Sequence, residues 1–513
     1  MRQLSKSKII SFRQCPKRLW LEIHRPELND DSGSEAVFAV GNQVGKIARS
    51  IYDPTGTGLL IDTESMGWDG AYERTAAWIA SAEAPLFEGA LRIPGALALA
   101  DVMLPEGSGS SLRWRMIEVK STTKVKDYQR DDIAIQAFVA DQAGVPLSRA
   151  CVAHIDNQFV YAGDGNYQGL LKEVDLTEEA VSRKDEVAEW LAGAQLVAAM
   201  ENEPEIAPGP QCNDPFECGF CAYCHRDLPV AEYPLTSLYR LNADKRQALE
   251  AEGYLDLREV PDERLSDVNA WIKEQTIKGE TYFDAAGAAS DLAKYPGIPR
   301  FLDFETIGFA VPVWAGTRPY QQLPFQYSIH LRDEVGTVHH DEFLDLSGAD
   351  PREALADSLI RHCGLEGPIF AYNASFEKRV ISQLAADFPA RARALDAIHK
   401  RIADLLPIAR NRFYAPSQHG SWSIKAVLPA ICPGLDYGQL EGVQNGDDAQ
   451  QAYLEAVHPD TTPERREEIR RQLLDYCELD TLALVRIWEV FVGKETLKEA
   501  TALDPSGDHP VTT

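Results

Sequence analysis

The spacing of apolar residues changes several times along the chain, and each change marks an element. Over 36–52 apolar positions recur at helical spacing around Gly41 and Gly45, and 71–82 follows the same rule, so both are predicted helices. Leu97–Leu104 and Leu112–Val119 read as two strands joined by the turn PEGSGSS. Ile133–Gln142 reads as a helix, Ala150–Ile155 as a strand, and 177–202 as a long amphipathic helix ended by NEPEIAPGP. Short helical runs broken at Gly253 and Pro261 fill 233–278. After Pro299, FLDFETIG opens with an apolar strand, IFAYNASFEKRVISQLA reads strand, turn, helix, and 464–492 reads as a helix or helix pair. No internal repeat is visible. The expected class is α/β, with units at 1–230, 231–295 (a helical connector) and 296–500, and a mobile tail at 501–513.

Composition narrows the function. With 513 residues, 44% hydrophobic and 25% charged, the chain has material for two large domains or about three ordinary ones. Its 79 acidic and 51 basic side chains leave a net charge of −28, so the overall field repels nucleic acid and anionic membranes. A polyanion could be held only by local basic patches or bound cations. No apolar run reaches the roughly 18 residues of a membrane span. The basic start MRQLSKSKIISFRQCPKRLW lacks the apolar core of a signal peptide, and a cytoplasmic location is expected. Four of the nine cysteines fall together at Cys212, Cys218, Cys221 and Cys224, which in a reducing compartment reads as metal ligation.

Asp303 and Glu305 stand two apart in FLDFET, so on a strand they share one face. Crowded carboxylates repel, and burying them uncompensated is costly. A divalent cation answers both problems, and oxygen-only ligands favour Mg²⁺ or Mn²⁺. A D-x-E pair can also be a merely exposed strand end. Further acids follow at Glu377 in YNASFEKRV and Asp404 in RIADLLP. Tyr476 and Asp480 in DYCELDT are four apart and share a helical face. A phenol in that place can orient a metal-bound water for attack on phosphorus.

The set FLDFET, YNASFE and YxxxD resembles the DnaQ-like 3′–5′ exonucleases in their tyrosine variant, on a ribonuclease-H-like fold, and GSWSIKAVLP resembles that wider family too. The resemblance implies Asp303, Glu305 and Asp480 as metal ligands and Tyr476 as the water-orienting residue. The family usually offers aspartate after the Phe of its second motif. Here Phe376 is followed by Glu377, with Asp404 as a rival for the same role.

PQCNDPFECGFCAYC spaces its cysteines C-x5-C-x2-C-x2-C, and Cys15 stands alone far upstream. Zinc is the ordinary expectation for clustered cysteines. One early cysteine with a late group resembles the RecB-type nucleases of the CRISPR-associated and AddB-like kind, in which four thiolates hold an iron–sulfur cluster. That resemblance implies a [4Fe–4S] cluster on Cys15, Cys212, Cys218 and Cys224, with Cys221 spare. Between the cysteines lie Asp101 in ALADVM and Glu118 and Lys120 in MIEVKS. Glu118 and Lys120 project to one face of a strand, and Asp101 would come from its neighbour. That is the arrangement of a PD-(D/E)XK nuclease, with two carboxylates on a metal and a lysine on the developing charge. Gln136 resembles the glutamine of the RecB-type motif. The family's early histidine position holds Gly45, and the tyrosine position after the glutamine holds Ala140.

Two basic runs, 113–130 and 391–412, adjoin these sites and are candidates for phosphate contact or plain solvated faces. KRQALEAEGYLDLREVP resembles a helix-hairpin-helix element. A RecB-like domain, a helical connector and a DnaQ-like domain occur in this order in a family of bacterial nucleases. The resemblance implies a metal-dependent nuclease acting on DNA, most readily single-stranded and from 3′ ends. A non-cleaving nucleic-acid-binding subunit and an RNA-processing exonuclease are the alternatives. No membrane partner is expected, and the sequence names no protein partner.

Overall fold

The computed structural model describes residues 1–30, 34–81, 84–229, 231–435, 437–495 and 497. The expected tail at 501–513 lies outside the described residues. The protein is a mixed α/β chain that divides into two compact units, residues 1–229 with 309–320, and residues 230–308 with 321–513. The residues expected to form a separate connector belong to the second unit. The segment 309–320, which leaves one strand of the second unit and returns at the next, belongs to the first. There Ala310 and Val311 cluster with Val44, Ile155 and Leu170. Among the described residues no helix is long and apolar enough to cross a membrane.

In the first unit the chain runs β1 (Leu4–Ser5), α1 (Lys6–Gln14), α2 (Pro16–His24), α3 (Ser34–Tyr52), β2 (Leu59–Leu60), α4 (Thr63–Ser81), β3 (Leu86–Ile93), β4 (Ala96–Glu106), β5 (Arg113–Lys120), α5 (Asp127–Gln142), β6 (Leu147–Ile155), β7 (Leu171–Asp175), α6 (Thr177–Ser182), α7 (Lys184–Ala198) and α8 (Cys221–His225). Its sheet has the order β2-β3-β4-β5-β6-β7, with β1 pairing β4. β4 and β5 form an antiparallel hairpin, and β6 lies parallel to β5 after the α5 crossover. The helix expected over 177–202 is interrupted at Arg183, where φ −96 and ψ 10 leave the helical range, and its guanidinium pairs with Asp131 and Glu186.

The second unit runs α9 (Ala243–Ala251), α10 (Asp267–Lys278), β8 (Tyr282–Phe283), α11 (Ala285–Leu292), β9 (Arg300–Ile307), β10 (Leu323–Arg332), β11 (Val338–Leu344), α12 (Arg352–His362), β12 (Ile369–Ala371), α13 (Ser375–Asp387), α14 (Ala392–Arg401), β13 (Ile402–Asp404), α15 (Leu406–Arg412), β14 (Phe413–Tyr414), α16 (Ile424–Ile431), α17 (Gly446–Val457) and α18 (Pro463–Phe491). Its main sheet has the order β11-β10-β9-β12-β13. β10 is antiparallel to β9 and β11, whereas β9, β12 and β13 are parallel. The chain therefore builds outward from β9 on one side, then crosses to the other. Such a switch point leaves a crevice at the carboxyl ends of the parallel strands. β8 pairs β14, which ties the expected connector into this unit.

Alternation along β9 sorts its residues by face. Leu302 and Phe304 enter the core under α12 and α13. Phe301, on the opposite face, meets Trp488 of α18 edge-on at 5.9 Å. Asp303 and Glu305 share that second face with Phe301, so α18 is the helix that confronts them.

Between β14 and α16 the chain turns at Gly420, with φ +70 and a missing Cβ that would stand 2.2 Å from the Ser237 carbonyl oxygen. Both the left-handed backbone and the close approach require glycine. Gly420→Ala is expected to destabilise the protein by about 1–3 kcal/mol, measured by chemical denaturation.

Candidate metal centre

Asp303 and Glu305 near the carboxyl end of β9 face Asp480 on α18. One carboxylate oxygen from each lies within 4.8 Å of the others. Glu305 and Asp480 are each only 7% exposed. Tyr476, one turn before Asp480, and Leu484, one turn after, line the same cavity of about 340 Å³ together with Tyr372, Phe376 and Lys425. The four-residue step along α18 thus turns three consecutive rungs of the helix toward one crevice.

The electrostatics follow from crowding. Burial raises Asp303 well above the ordinary aspartate range, and the charges of Asp480, Glu305 and Glu377 add to it. Burial, then Asp480, pushes Glu305 up to about 8, with Lys425 opposing. Burial raises Asp480 to about 6, against a hydrogen bond from Tyr437 and the charge of Lys425, which hold it down. The Tyr437 hydroxyl donates to Asp480 Oδ1 at 2.6 Å. Burial and the neighbouring carboxylates push both Tyr476 and Tyr437 upward, so both stay phenols. The Lys425 ammonium stands 5.4 Å from the Tyr476 ring centre and 5.2 Å from that of Tyr437.

Glu377 sits in the first turn of α13 and is 2% exposed. Its Oε2 has no hydrogen-bond partner. Burial, then Asp404, pushes Glu377 up to about 8. Asp404, its rival, is differently occupied. Its Oδ1 accepts from the Asn373 and Leu406 amides at 3.0 and 2.9 Å, which fixes the turns after β12 and β13.

In the first unit the predicted residues also meet. Asp101 Oδ2 accepts from the Val119 amide at 2.7 Å. Glu118, 2% exposed, has Oε1 2.8 Å from Lys120, while its Oε2 accepts from Gln136. Sequence reasoning missed two members. Lys6 of α1 stands 2.5 Å from Glu118 Oε1, and Asp132 of α5 accepts from Lys120 at 2.6 Å. The two ammonium groups hold Glu118 below the usual carboxylate range despite burial. Asp101, by contrast, is raised by burial and by Glu118. One of the two departures from the resembled motif has a local reason. Ala140, on the core face of α5, is fully buried, so a tyrosine ring there would have to displace packed neighbours. A side chain at Gly45 would meet nothing within 4 Å, so its absence is not steric.

Cys15, Cys212, Cys218, Cys221 and Cys224 all line one small cavity. Among the described residues, no three of these sulfurs come within 4.8 Å of one another. Thiolates on a single zinc, at Zn–S distances of about 2.3 Å, would crowd closer than that. The Cys221 thiol donates to the Cys212 carbonyl at 3.6 Å and is raised to about 11 by burial.

The basic runs are largely spent on structure. Arg115 meets Glu106 and Glu173, Arg130 meets Glu179, Arg391 meets Asp357, Arg412 meets Asp284 and Asp291, and Arg401 donates to four carbonyls. Arg113, Lys124, Lys126, Arg393 and Lys400 are the exposed cations of the two runs.

A family model for a domain of unknown function (DUF2779) matches residues 300–423, from β9 to the residue before α16. That stretch holds Asp303, Glu305, Glu377 and Asp404 but not Tyr476 or Asp480. No curated protein and no solved structure matches the chain.

The raised carboxylates mean that the folded cluster binds protons an unfolded chain would release. Without a cation its contribution to stability therefore falls as pH rises from the ordinary glutamate range through about 8. In chelator above that pH, Glu305→Gln is expected to be more stable than wild type by on the order of 1 kcal/mol. The gap should close in acid, and Mn²⁺ should reverse the order by raising only the wild-type melting temperature. Thermal scans of both proteins at two pH values check this.

Proposed function

We propose that this chain is a metal-dependent nuclease whose cutting centre is the acidic crevice of the second unit, and that it hydrolyses DNA from 3′ ends of single strands. The convergence of Asp303, Glu305 and Asp480 carries the reading. Asp480 lies far in sequence from the Asp303–Glu305 pair, Glu305 and Asp480 are buried and Asp303 is half-buried, and all three offer only oxygen, so without a cation or protons they repel. That donor set fits Mg²⁺ or Mn²⁺. On this reading the second unit is ribonuclease-H-like and DnaQ-like. The acid pair on the strand beside the switch point and the tyrosine one turn before Asp480 support it.

When bound, the cation would polarise the scissile phosphate and acidify a water. The chain's own groups then divide the work. Asp303, Glu305 and Asp480 hold the cation, and Glu377, buried with a partner-free Oε2 outside the cavity lining, adds its charge to the field at Asp303. Tyr476 remains protonated, so it orients the attacking water rather than taking its proton. Lys425, over Tyr476, favours anion approach in a strongly acidic protein. A cavity of about 340 Å³ suits one terminal nucleotide better than a duplex, and 5′-mononucleotides are the expected products.

The first unit reads as PD-(D/E)XK-like and RecB-like. The β4–β5 hairpin with Asp101, Glu118 and Lys120, followed by α5 with Gln136, supports this. Here, however, Lys6 and Lys120 both pair with Glu118, which leaves only Asp101 raised by burial and by Glu118. We therefore assign cutting to the second unit and nucleic-acid binding to the first. Cys15, Cys212, Cys218 and Cys224 would hold a [4Fe–4S] cluster, with Cys221 spare on the Cys212 carbonyl.

End-labelled single-stranded DNA and RNA with Mn²⁺ test the activity. Wild type should shorten DNA from the 3′ end, and Asp303→Asn and Asp480→Asn should each slow it by about a thousand-fold. Inert wild type, or undiminished Asp303→Asn, overturns the assignment, and preference for RNA moves it to RNA processing. Metal analysis of anaerobically purified protein should find iron and sulfide; zinc in their place would refute the cluster.

A further inference from the structure

A second group of ligand atoms lies on the same helix but outside the acidic crevice. β10 and β11 pair so that His330 stands directly opposite His340. One ring nitrogen of each, and a carboxylate oxygen of Glu478 on α18, lie within 4.8 Å of one another. His330 is 3% exposed. His340 and Glu478 are partly open to solvent, at 18% and 45% of their side chains.

The surrounding hydroxyls set which nitrogens are available. Thr481 Oγ1 donates to the Glu478 carbonyl at 3.1 Å, so toward its other neighbours it is an acceptor. It accepts from Ser328 Oγ at 2.6 Å and from His330 Nδ1 at 2.8 Å. Ser328, its proton spent on Thr481, accepts from His340 Nε2 at 2.8 Å. That chain leaves lone pairs on His330 Nε2 and His340 Nδ1. Running the Ser–Thr bond the other way would aim a His340 Nδ1–H at Glu478 Oε1 across 3.7 Å, beyond hydrogen-bond reach. Metal-bound histidines have this arrangement, one nitrogen on the ion and the other donating to a fixed oxygen. Two ligands about 2.0–2.1 Å from one tetrahedral ion stand roughly 3.4 Å apart, close to the His340–Glu478 gap. The rings stack with centroids 4.5 Å apart and planes 24° apart, so closing on an ion requires the more exposed His340 to tilt its Nδ1 edge. Arg486 and Arg332, the nearby cations, are both paired with Glu489.

We propose that His330, His340 and Glu478 form a binding site for a borderline divalent ion of the zinc class, with a fourth position open to water. Two imidazoles and one carboxylate suit zinc and disfavour magnesium. The ion would fasten the β10–β11 hairpin to α18, the helix that carries Tyr476 and Asp480. The site stands on its own geometry and does not depend on the nuclease reading.

The test uses the full-length protein stripped with chelator and titrated with Zn²⁺ and with Co²⁺ as a spectroscopic probe. Wild type should bind one more equivalent than His340→Ala. Its extra cobalt should show visible ligand-field bands without thiolate charge transfer, which separates it from the cysteine cavity. Asp303→Asn should retain the equivalent, which separates it from the acidic crevice. Glu478→Gln, at an open position on the helix, should weaken the site at least about 100-fold and Ser328→Ala about 10-fold. Should His340→Ala fail to fold, Glu478→Gln decides alone. Equal stoichiometry and affinity in wild type, His340→Ala and Glu478→Gln would mean that the stacked histidines only pack.

Discussion

Three carboxylates forced together between a strand and a helix are the constraint from which the second unit takes its meaning. Asp303 and Glu305 point the same way because a strand alternates, and α18 brings Asp480 against them because Phe301 and Trp488 pack on that same face. The apolar contacts set the distance, and the carboxylates must tolerate it. Burial raises all three, and their neighbours' charges raise Asp303 and Glu305 further, until a proton or cation relieves them. Tyr437 and Lys425 soften the repulsion from the side without removing it.

The acidic group of the first unit resolves the same problem by another route. Lys6 and Lys120 sit on Glu118, and Asp132 completes an alternating array of charge. A buried pair satisfied by ammonium groups is electrostatically complete, whereas one satisfied by nothing in the chain asks for a ligand. The difference between two similar-looking sets of acids is thus the counter-charge, two ammonium groups in contact with Glu118 in one unit and Lys425 acting at longer range in the other.

α18 connects the chemistry of the second unit. Over one stretch of helix, Tyr476 and Asp480 face the crevice, while Glu478 and Thr481 face the β10–β11 hairpin. A single rigid element therefore transmits the position of the hairpin to the groups proposed to act on substrate. The GSWSIK turn does the same from the other wall, with Gly420 allowing the close approach and Lys425 following in the first turn of α16.

Much of this was legible in the chain itself. The D-x-E pair, the four-residue step from Tyr476 to Asp480, the E-x-K strand and the grouped cysteines are local patterns whose periodicity fixes which side chains share a face. The short strand β13, the break at Arg183, the fusion of the connector through β8 and β14, and the placing of 309–320 with the first unit were not legible, because non-local pairing decides them. Lys6, Asp132, Tyr437 and the His330–His340 pair carry no local signal at all. Each acquires a role only when strands or helices distant in sequence are brought into register. The sequence determined which residues could do chemistry and on which face they stand. The tertiary structure decided which of them meet and with what counter-charge, since Coulomb and hydrogen-bond energies depend on distances that no spacing along the chain contains.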